Sequence, residues 1–427
     1  MPETNSMCAA EPKAPRGPLN SEFFVQEGNS SPYEVKLATS NLPVGSFPGD
    51  AVVLAGTSPS SMQFADIQSD SPRNYLEIWN LNIQRQLSTN TTLMVGYVGN
   101  HGVHMENKTD DANMVIPTLT PYGYLYPFPE GSGTRINPDV GQIRYTYWGG
   151  TALYDALEAQ VTKRFGNGFQ AQGSYTFGKG IDTGSASVIG DPFTNSITSL
   201  PWFCNACRRG LTDFNITHTI TINYLWSIPT PASWGGLESH LLGGWQVGGI
   251  TTIESGLPFT PLIGGDPLGE NNTDPFDYPS RIRGPGCNQA VNPGNPNDYV
   301  KLQCFELPIA PAALAASCTP FGAGGVPVPG TCSNLLANVG RNSVIGPGLV
   351  NFDFSLFKNN YIKKISENFN IQFRAEMFNI FNRANFAVPT DNSTFFDQNG
   401  NAVGGAGSVD STATPSREIQ FGTKIIW

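Results

Sequence analysis

The stretch FNITHTITINYLW, residues 214–226, alternates apolar or aromatic side chains with mostly polar ones along its whole length. The first set is Phe214, Ile216, His218, Ile220, Ile222, Tyr224 and Trp226, and the second is Asn215, Thr217, Thr219, Thr221, Asn223 and Leu225. A helix cannot separate these two sets, because its period is 3.6 residues. The stretch therefore predicts a β-strand that shows one face to lipid and the other to a wet interior.

The same alternation recurs along the chain and predicts eight more strands, with a less regular tenth at residues 33–39. The eight are residues 75–87, 91–100, 153–165, 169–177, 245–254, 350–358, 369–381 and 417–427. No apolar run reaches the 18 residues of a membrane-spanning helix, but a membrane-spanning strand needs only about 9–11 residues. We expect an all-β fold, an antiparallel transmembrane β-barrel of outer-membrane type, with an irregular segment at residues 1–32 and the barrel segment at 33–427.

The connections between these strands differ strongly in length. The long ones are residues 101–150, 180–212, 255–349 and 382–416, and most of those between them are short. Outer-membrane barrels have short periplasmic turns and long extracellular loops, whereas soluble sandwiches do not sort loop length in this way. We therefore expect the four long connections to face the outside of the cell.

Composition supports the fold class and excludes one class of partner. The 427 residues include 47 Gly and 34 Pro, only 14% are charged, and the net charge is −10. Plentiful turn residues favour strands over long helices. Because phosphate binding needs a basic surface, we expect no nucleic-acid partner.

The charges inside the predicted strands mostly fall on the polar face. Two others, Asp155 and Lys163, fall on the apolar face, but near strand ends, where the membrane interface makes a charge less costly. The sequence thus predicts a charged lumen surface made of Glu158, Arg164, Arg374, Glu376, Glu418 and Lys424.

The cysteines have the pattern of loop disulfides. Cys204 and Cys207 have the spacing of a zinc or redox site, but no second such pair lies nearby, so a local disulfide is favoured. Four more lie in one long loop and allow three pairings; proximity favours one bridge between Cys287 and Cys304 and another between Cys318 and Cys332. Cys8 is left over.

No residue pattern points to catalysis. The chain lacks the GxSxG, P-loop and Rossmann motifs, and its acidic pairs lie in loops. His101 and His104 open a polar loop, and no glutamate accompanies them as in zinc proteases, so a solvated turn is favoured over a metal site. We expect no enzyme activity, no metal and no cofactor.

Several phrases resemble the C-terminal barrel of Oar-like TonB-dependent receptors, in the same order over roughly residues 70–427. They are YLEIWNLNIQRQL, TTLMVGYVGNHG, YDALEAQVTKRFGNGFQAQGSYTFGKGID, RRGLTDFNITHTITINYLWSIP, LLGGWQVGGITTIESGLPFT, GRNSVIGPGLVNFDFSLFKN, FNIQFRAEMFNIFNRANF and REIQFGTKIIW. The terminal Trp427 resembles the C-terminal aromatic that serves outer-membrane proteins as a barrel-assembly signal.

The resemblance implies a barrel of about 22 strands around an N-terminal plug, with a TonB-box segment through which an inner-membrane complex drives uptake. The sequence has about ten strands and no plug-like region, TonB box, regulatory domain or signal peptide. We therefore expect the C-terminal part of a longer or split receptor. Its partners would be outer-membrane lipid, the barrel-assembly machinery and a missing N-terminal plug and barrel portion, which alone would contact the TonB complex.

Three alternatives remain open from the sequence. One is a closed barrel of about ten strands, in which residues 33–39 pair with residues 417–427. Another is a passive surface, adhesion or structural barrel without energised transport. The third is a secreted β-sandwich, which would partition into the aqueous phase on detergent extraction.

Overall fold

The computed structural model describes residues 64–139, 141–164, 168–185, 200–231, 233–270, 276–362, 364–366, 368–389 and 393–427. Nine long strands form one sheet, in which each strand pairs antiparallel with the next along the chain. They are β1 (Tyr75–Ser88), β2 (Thr91–Thr109), β3 (Ile143–Arg164), β4 (Phe169–Asp182), β5 (His218–Ser227), β6 (Trp245–Glu254), β7 (Leu349–Tyr361), β8 (Asn370–Phe378) and β9 (Glu418–Ile426). We call this sheet the wall. All nine regular alternating segments contribute a strand to it, whereas residues 1–32, Cys8 and the predicted strand at 33–39 lie outside the described residues.

The register of the wall gathers the apolar side chains on one face. One row of directly opposite residues runs from Leu81 through Tyr97, Leu157 and Phe177 to His218. Residues opposite each other in neighbouring strands share a face, so every row repeats the alternation found in the sequence. We call this the apolar face and the other the polar face.

Two glycines of the apolar face lie beneath aromatic rings of the neighbouring strand. A Cβ atom on Gly99 would lie 2.3 Å from the indole of Trp79, and one on Gly249 would lie 2.6 Å from the hydroxyl of Tyr224. Only glycine fits under these rings, which cover the backbone that a glycine exposes. The wall is therefore packed by specific ring-over-glycine contacts as well as by strand pairing.

Several predicted strand limits were wrong. The loop predicted at residues 101–150 instead begins and ends as paired strand, because β2 continues to Thr109 and β3 starts at Ile143. The register shifts between Val103 and Met105 and again between Met105 and Asn107. These shifts interrupt the alternation, so the pattern does not reveal this part of the hairpin. In addition, β4 extends to Asp182, into the loop predicted at 180–212; β5 starts later than predicted, and β8 ends earlier.

Short elements fill the rest of the described chain. The strand Phe64–Ile67 pairs parallel with β3, and Gly210–Leu211 pairs with β4. Four small sheets pair Thr118–Thr120 with Gly123–Leu125, Pro258–Phe259 with Val344–Ile345, Leu262–Ile263 with Thr394–Phe396, and Ser280–Arg281 with Phe305–Glu306. The helices are Asn205–Arg208 and Gly236–Leu242, with 3-10 turns at Pro296–Asp298, Leu302–Cys304, Ala312–Ser317 and Ala323–Gly325. None of the helices in the described ranges has the length and apolarity needed to cross a membrane.

The four long connections fold together at one end of the wall. We call the described residues of 110–142, 183–217, 255–348 and 379–417 the cap. One buried cluster brings Phe259, Val300 and Phe305 from the third connection against Phe395 from the fourth. A second cluster joins the first three connections, through Met114, Val115, Tyr126, Leu200, Leu262, Leu268, Tyr278 and Leu336. The cap therefore has its own apolar cores.

The two outermost strands of the wall are exposed on both faces. Every residue of β1 and of β9 is exposed. Within the described residues, β1 pairs only with β2, and β9 only with β8. The sheet is thus open as far as the structure describes it, and its closure is not observed.

Candidate functional site

The predicted lumen charges all lie on the polar face of the wall. Glu158 is opposite Thr176, and Arg374 is opposite Gly422, in the rows that alternate with the apolar ones. The same register gives the polar face Glu158, Arg164, Arg374, Glu376, Glu418 and Lys424. Gln420 donates from its Nε2 to Glu376 over 2.8 Å, and Gln372 accepts from Arg374 over 2.7 Å. Arg374 and Glu376 are therefore each paired with a side-chain amide on the polar face.

Charges on the apolar face do not all lie at strand ends. Asp155 was expected near a strand end, but it lies in the middle of β3, because that strand extends back to Ile143; Tyr97 donates to it over 2.6 Å. On the side of the short turns lie Lys163 and also Lys358, whose Nζ donates to the Gly243 carbonyl over 2.7 Å. The eight residue steps from Asp155 to Lys163 span about 26 Å of strand. A tilted strand of that length covers most of the roughly 25 Å apolar band of an outer-membrane barrel.

The polar face carries opposite charges at its two ends in β6–β9. Lys424 lies in the half nearer the short turns, opposite Gln372, and Arg374 lies at the middle of β8, opposite Phe357. The half nearer the cap carries only carboxylates among its charged side chains: Glu254, Asp353, Glu376 and Glu418. Glu254 and Asp353 were not among the predicted lumen charges, although each lies at a polar position of an alternating strand.

A cavity of about 300 Å³ lies within this acidic region, at the ends of β7, β8 and β9 nearest the cap. Its lining residues are Asn351, Asp353, Phe378, Asn379, Thr414, Pro415, Ser416 and Glu418. Asp353 Oδ1 accepts hydrogen bonds of 2.9 Å from both Asn351 Nδ2 and the backbone N–H of Asn379. One carboxylate oxygen thus fixes the cavity wall.

A second cavity, of about 280 Å³, opens where the cap meets β6 and β7. Its lining is mainly apolar, with Leu257, Phe386 and Val388 from the cap, and Glu254 at its edge. Both cavities therefore lie where the loops join the strands, the usual place for ligand sites built by loops on a rigid scaffold.

Arg341 fastens the cap to the wall and is almost completely buried. Its Nε donates to the Arg208 carbonyl over 3.0 Å, and its Nη1 donates to Ser185 Oγ over 2.9 Å and to Asp213 over 3.1 Å. Its Nη2 donates to the carbonyl and the carboxylate of Asp182, the last residue of β4. All five guanidinium donors are used, which makes this buried charge tolerable.

Arg208 extends this network towards the long hairpin of β2 and β3. Its Nη1 donates to the Tyr147 hydroxyl over 3.2 Å, and its Nη2 donates to the Lys108 carbonyl. Burial lowers the pKa of Arg208. The two arginines thus hold the second and third connections against three strands, and neither was predicted as a site residue.

Two carboxylic acids are buried inside the cap. Glu270 accepts from the Tyr126 hydroxyl, and Asp277 accepts from the backbone N–H groups of Tyr278 and Ala337. Desolvation raises the pKa of Glu270 well above its usual range and the pKa of Asp277 to about 8. One oxygen of each has no hydrogen-bond donor. Burial therefore makes both carboxyl groups harder to ionise than exposed ones.

The cysteines form three disulfides in the cap, joining Cys204 to Cys207, Cys287 to Cys304 and Cys318 to Cys332. These are the pairs that proximity in sequence favours. The described residues contain no group of three or more His, Cys, Asp or Glu placed to hold a metal ion.

The histidines and the terminal tryptophan have separate places. His101 Nδ1 lies 3.4 Å from Glu77 Oε2, and His104 Nδ1 lies 3.0 Å from the Arg73 carbonyl. The two histidines therefore contact different partners. His218 stacks on Phe177 at 5.1 Å, on the apolar face. Trp427 follows β9 and is 87% exposed.

A sheet with one apolar face, one charged face and long loops folded at one end has the features of the wall of an outer-membrane β-barrel. The sequence matches the family model of the outer membrane beta barrel domain over residues 9–420, and the chain belongs to this family. It is therefore a protein of the bacterial outer membrane. Among solved structures, it is similar to the outer membrane transporter YddB from Escherichia coli, with 10% sequence identity and a TM-score of 0.39. That match covers 85% of this chain and 33% of the transporter, so the chain spans about a third of its length. No curated protein sequence matches the chain.

Proposed function

We propose that the chain is the C-terminal part of the barrel of a TonB-dependent receptor of the Oar-like type, which binds a ligand between its cap and its polar face. The observation that carries this proposal is the open wall, whose outermost strands β1 and β9 are exposed on both faces. The ordered phrases shared with Oar-like receptors support the same assignment.

An open wall needs a partner in the membrane. Each backbone group that faces hydrocarbon without a hydrogen bond costs several kcal/mol, so free strand edges do not persist in a bilayer. We infer that the missing N-terminal plug and barrel portion supplies the strands that complete the wall. Contact with the TonB complex would then run only through that portion.

Membrane insertion tests the partial wall. The chain is expressed with a signal peptide, and outer membranes are examined by electrophoresis with and without heating. We expect no heat-modifiable, protease-resistant monomer from the chain alone, because neither edge strand has a second partner among the described residues. A stable monomeric barrel, inserted without any partner, would contradict the partial wall and favour the small closed barrel.

A second candidate is a passive surface or adhesion protein, favoured by apolar side chains that the first long connection exposes. They are Ile116, Leu119, Tyr122, Phe128 and Ile136. Photo-crosslinking in cells separates the two functions. A receptor whose complete reading frame is expressed crosslinks to TonB, whereas a passive protein does not. Failure to capture TonB with the complete reading frame would refute energised transport.

A further inference from the structure

We propose that the bridge between Cys204 and Cys207 is a thiol-exchange site, at which a small dithiol attacks Cys207, and that its reduction loosens the attachment of the cap to the wall. The site goes beyond the receptor function and does not depend on it. This bridge differs from the other two disulfides in exposure, hydrogen bonding and loop length. The turn that it closes also holds side chains at the junction of cap and wall.

Cys207 is the one bridged cysteine of the described residues that is not buried. The other five are at most 8% exposed: Cys204, Cys287, Cys304, Cys318 and Cys332. Asn205, Ala206 and Arg209, which surround Cys207 in the sequence, are exposed as well. Thiol–disulfide exchange requires the attacking thiolate to reach one of the two sulfurs. An external thiolate therefore reaches this bridge, at Cys207, more easily than either bridge of the third connection.

The second sulfur of the bridge has a hydrogen-bond donor. The backbone N–H of Cys207 donates to Cys204 Sγ over 3.1 Å. A donor in this position stabilises the negative charge that develops on the sulfur as the S–S bond breaks, and a stabilised thiolate leaves faster. Attack at Cys207 therefore uses the accessible sulfur and expels the sulfur that already accepts a hydrogen bond.

The dithiol is the only other reactant that the exchange needs. One thiolate of the dithiol forms a bond to Cys207 Sγ, while the bond between the two cysteines breaks and leaves a thiolate on Cys204. The second thiolate of the dithiol then attacks the first sulfur of the same molecule, closes a cyclic disulfide and releases the Cys207 thiolate. The bridge gains two electrons and the dithiol loses two, and the two protons of the dithiol pass to the cysteines.

The fold protects this bridge less than it protects the other two. Cys204 and Cys207 are 3 positions apart, whereas the other bridges join cysteines 17 and 14 positions apart. In the chain-entropy model, a bridge that closes a shorter loop stabilises the folded state less. Because thermodynamic linkage is reciprocal, the folded state in turn stabilises that bridge less against reduction.

The bridged turn lies between two contacts with β3. The Tyr147 hydroxyl donates to the Trp202 carbonyl over 2.8 Å and accepts from Arg208 Nη1 over 3.2 Å. The Arg208 carbonyl also accepts from Arg341 Nε over 3.0 Å. The bridge lies between Trp202 and Arg208 along the chain, so it restricts the segment that must keep both contacts. Reduction frees this segment and raises the entropy cost of holding the cap on the wall.

Reduction in native outer membranes tests the exchange. The membranes are treated with dithiothreitol, free thiols are alkylated at intervals, and mass spectrometry gives the reduced fraction of each cysteine. We expect the bridge between Cys204 and Cys207 to be reduced about tenfold faster than the other two, or more, because of its exposure. Equal rates for the three bridges, or slower reduction of this one, would overturn the proposal.

Two single variants show which sulfur an external reagent reaches. Cys204→Ser leaves the thiol of Cys207, and Cys207→Ser leaves the thiol of Cys204. With hydroxyethyl disulfide as the probe, the Cys207 thiol should form the mixed disulfide about threefold faster or more, because it is the less buried of the two. An equal or faster reaction at Cys204 would refute attack at Cys207.

Hydrogen exchange tests the loosening of the cap. The readout is the backbone N–H of Thr212, which follows Arg208 and donates to the Gly180 carbonyl of β4 over 3.1 Å. A short dithiothreitol pulse that reduces only the bridge between Cys204 and Cys207 should speed its exchange about tenfold. The double variant Cys204→Ser with Cys207→Ser should do the same without a reductant.

The matched control opens a different bridge. Cys318→Ser with Cys332→Ser removes a disulfide that lies in a cluster made only of cap residues. Exchange at Thr212 should stay within about twofold of the wild-type rate in this control, because the cluster does not contact the wall. An equal effect of the two double variants, or no effect of the dithiothreitol pulse, would refute the link between the bridge and the attachment of the cap.

Discussion

Asp277 offers the most direct test of how the cap is held together. Its carboxyl is fully buried, with a pKa raised by desolvation to about 8 from 3.8. Because the folded pKa exceeds the unfolded one, the stability it contributes is complete below about pH 4 and is lost as the pH rises towards 8. Each unit of pKa corresponds to about 1.4 kcal/mol, so roughly 4 kcal/mol of this stability is lost by pH 7. The cap should therefore open more easily at pH 8 than at pH 5.

Asp277→Asn removes this titration while keeping the oxygen that accepts from Tyr278 and Ala337. In the wild-type chain, Asp277 makes the free energy of cap opening fall by about 1.4 kcal/mol per pH unit between pH 5 and 7. This contribution should be absent in the variant. Burial also raises the pKa of Glu270, so a pH dependence from Glu270 should remain in the variant. At pH 8 the variant should be more stable than the wild-type cap. At pH 5 it should be less stable by about 1–3 kcal/mol, because its amide adds a buried N–H without an acceptor.

Hydrogen exchange with mass spectrometry measures this opening where it occurs. The backbone N–H of Ile263 donates to the Asp277 carbonyl over 2.7 Å, and the reverse bond is 3.1 Å, so peptides over both segments report the cap core. Rates are corrected for the intrinsic pH dependence of exchange. The matched control is Asp139→Asn, which changes an exposed carboxylate of the cap and should leave the slope unchanged. A wild-type opening free energy that is flat or rises with pH would refute the reasoning.

Four further predictions follow from the wall and the cap. Arg341→Lys replaces five buried donors with three, and should lower the unfolding free energy of the cap in urea by about 3 kcal/mol; an unchanged urea midpoint would contradict the anchoring role. Phe354→Lys puts a charge on the apolar face and should destabilise folding in lipid by about 2–4 kcal/mol, whereas Ser355→Lys on the polar face should be tolerated. Equal destabilisation by the two substitutions would contradict the assignment of the two faces. In a Cys8→Ser background, an impermeant maleimide should label Asn399→Cys in the cap on intact cells but not Asn90→Cys in the turn between β1 and β2. Reduction of the bridge between Cys287 and Cys304 should cost the cap about 3 kcal/mol, and mass spectrometry that finds these thiols free in native membranes would reject the bridge.

The wall could be predicted from the sequence because its pattern is local. β6 spans Trp245–Glu254, the same residues that the alternation marks. Lipid on one face and a polar surface on the other impose a period of two, and each strand displays it without reference to its neighbours. The end of the β2–β3 hairpin nearest the cap was not predicted, because the alternation is interrupted there. There the register shifts, and residues such as Asn107 and Thr109 are buried although polar.

The cap could be predicted only where its contacts are short in sequence. Cys318 and Cys332 lie 14 residues apart, so proximity indicates their bridge. Arg341 contacts Asp182 across 159 positions, and nothing local marks either residue as a partner of the other. The same holds for Tyr126 and Glu270, which are 144 positions apart. The tertiary fold alone brings these buried polar groups together.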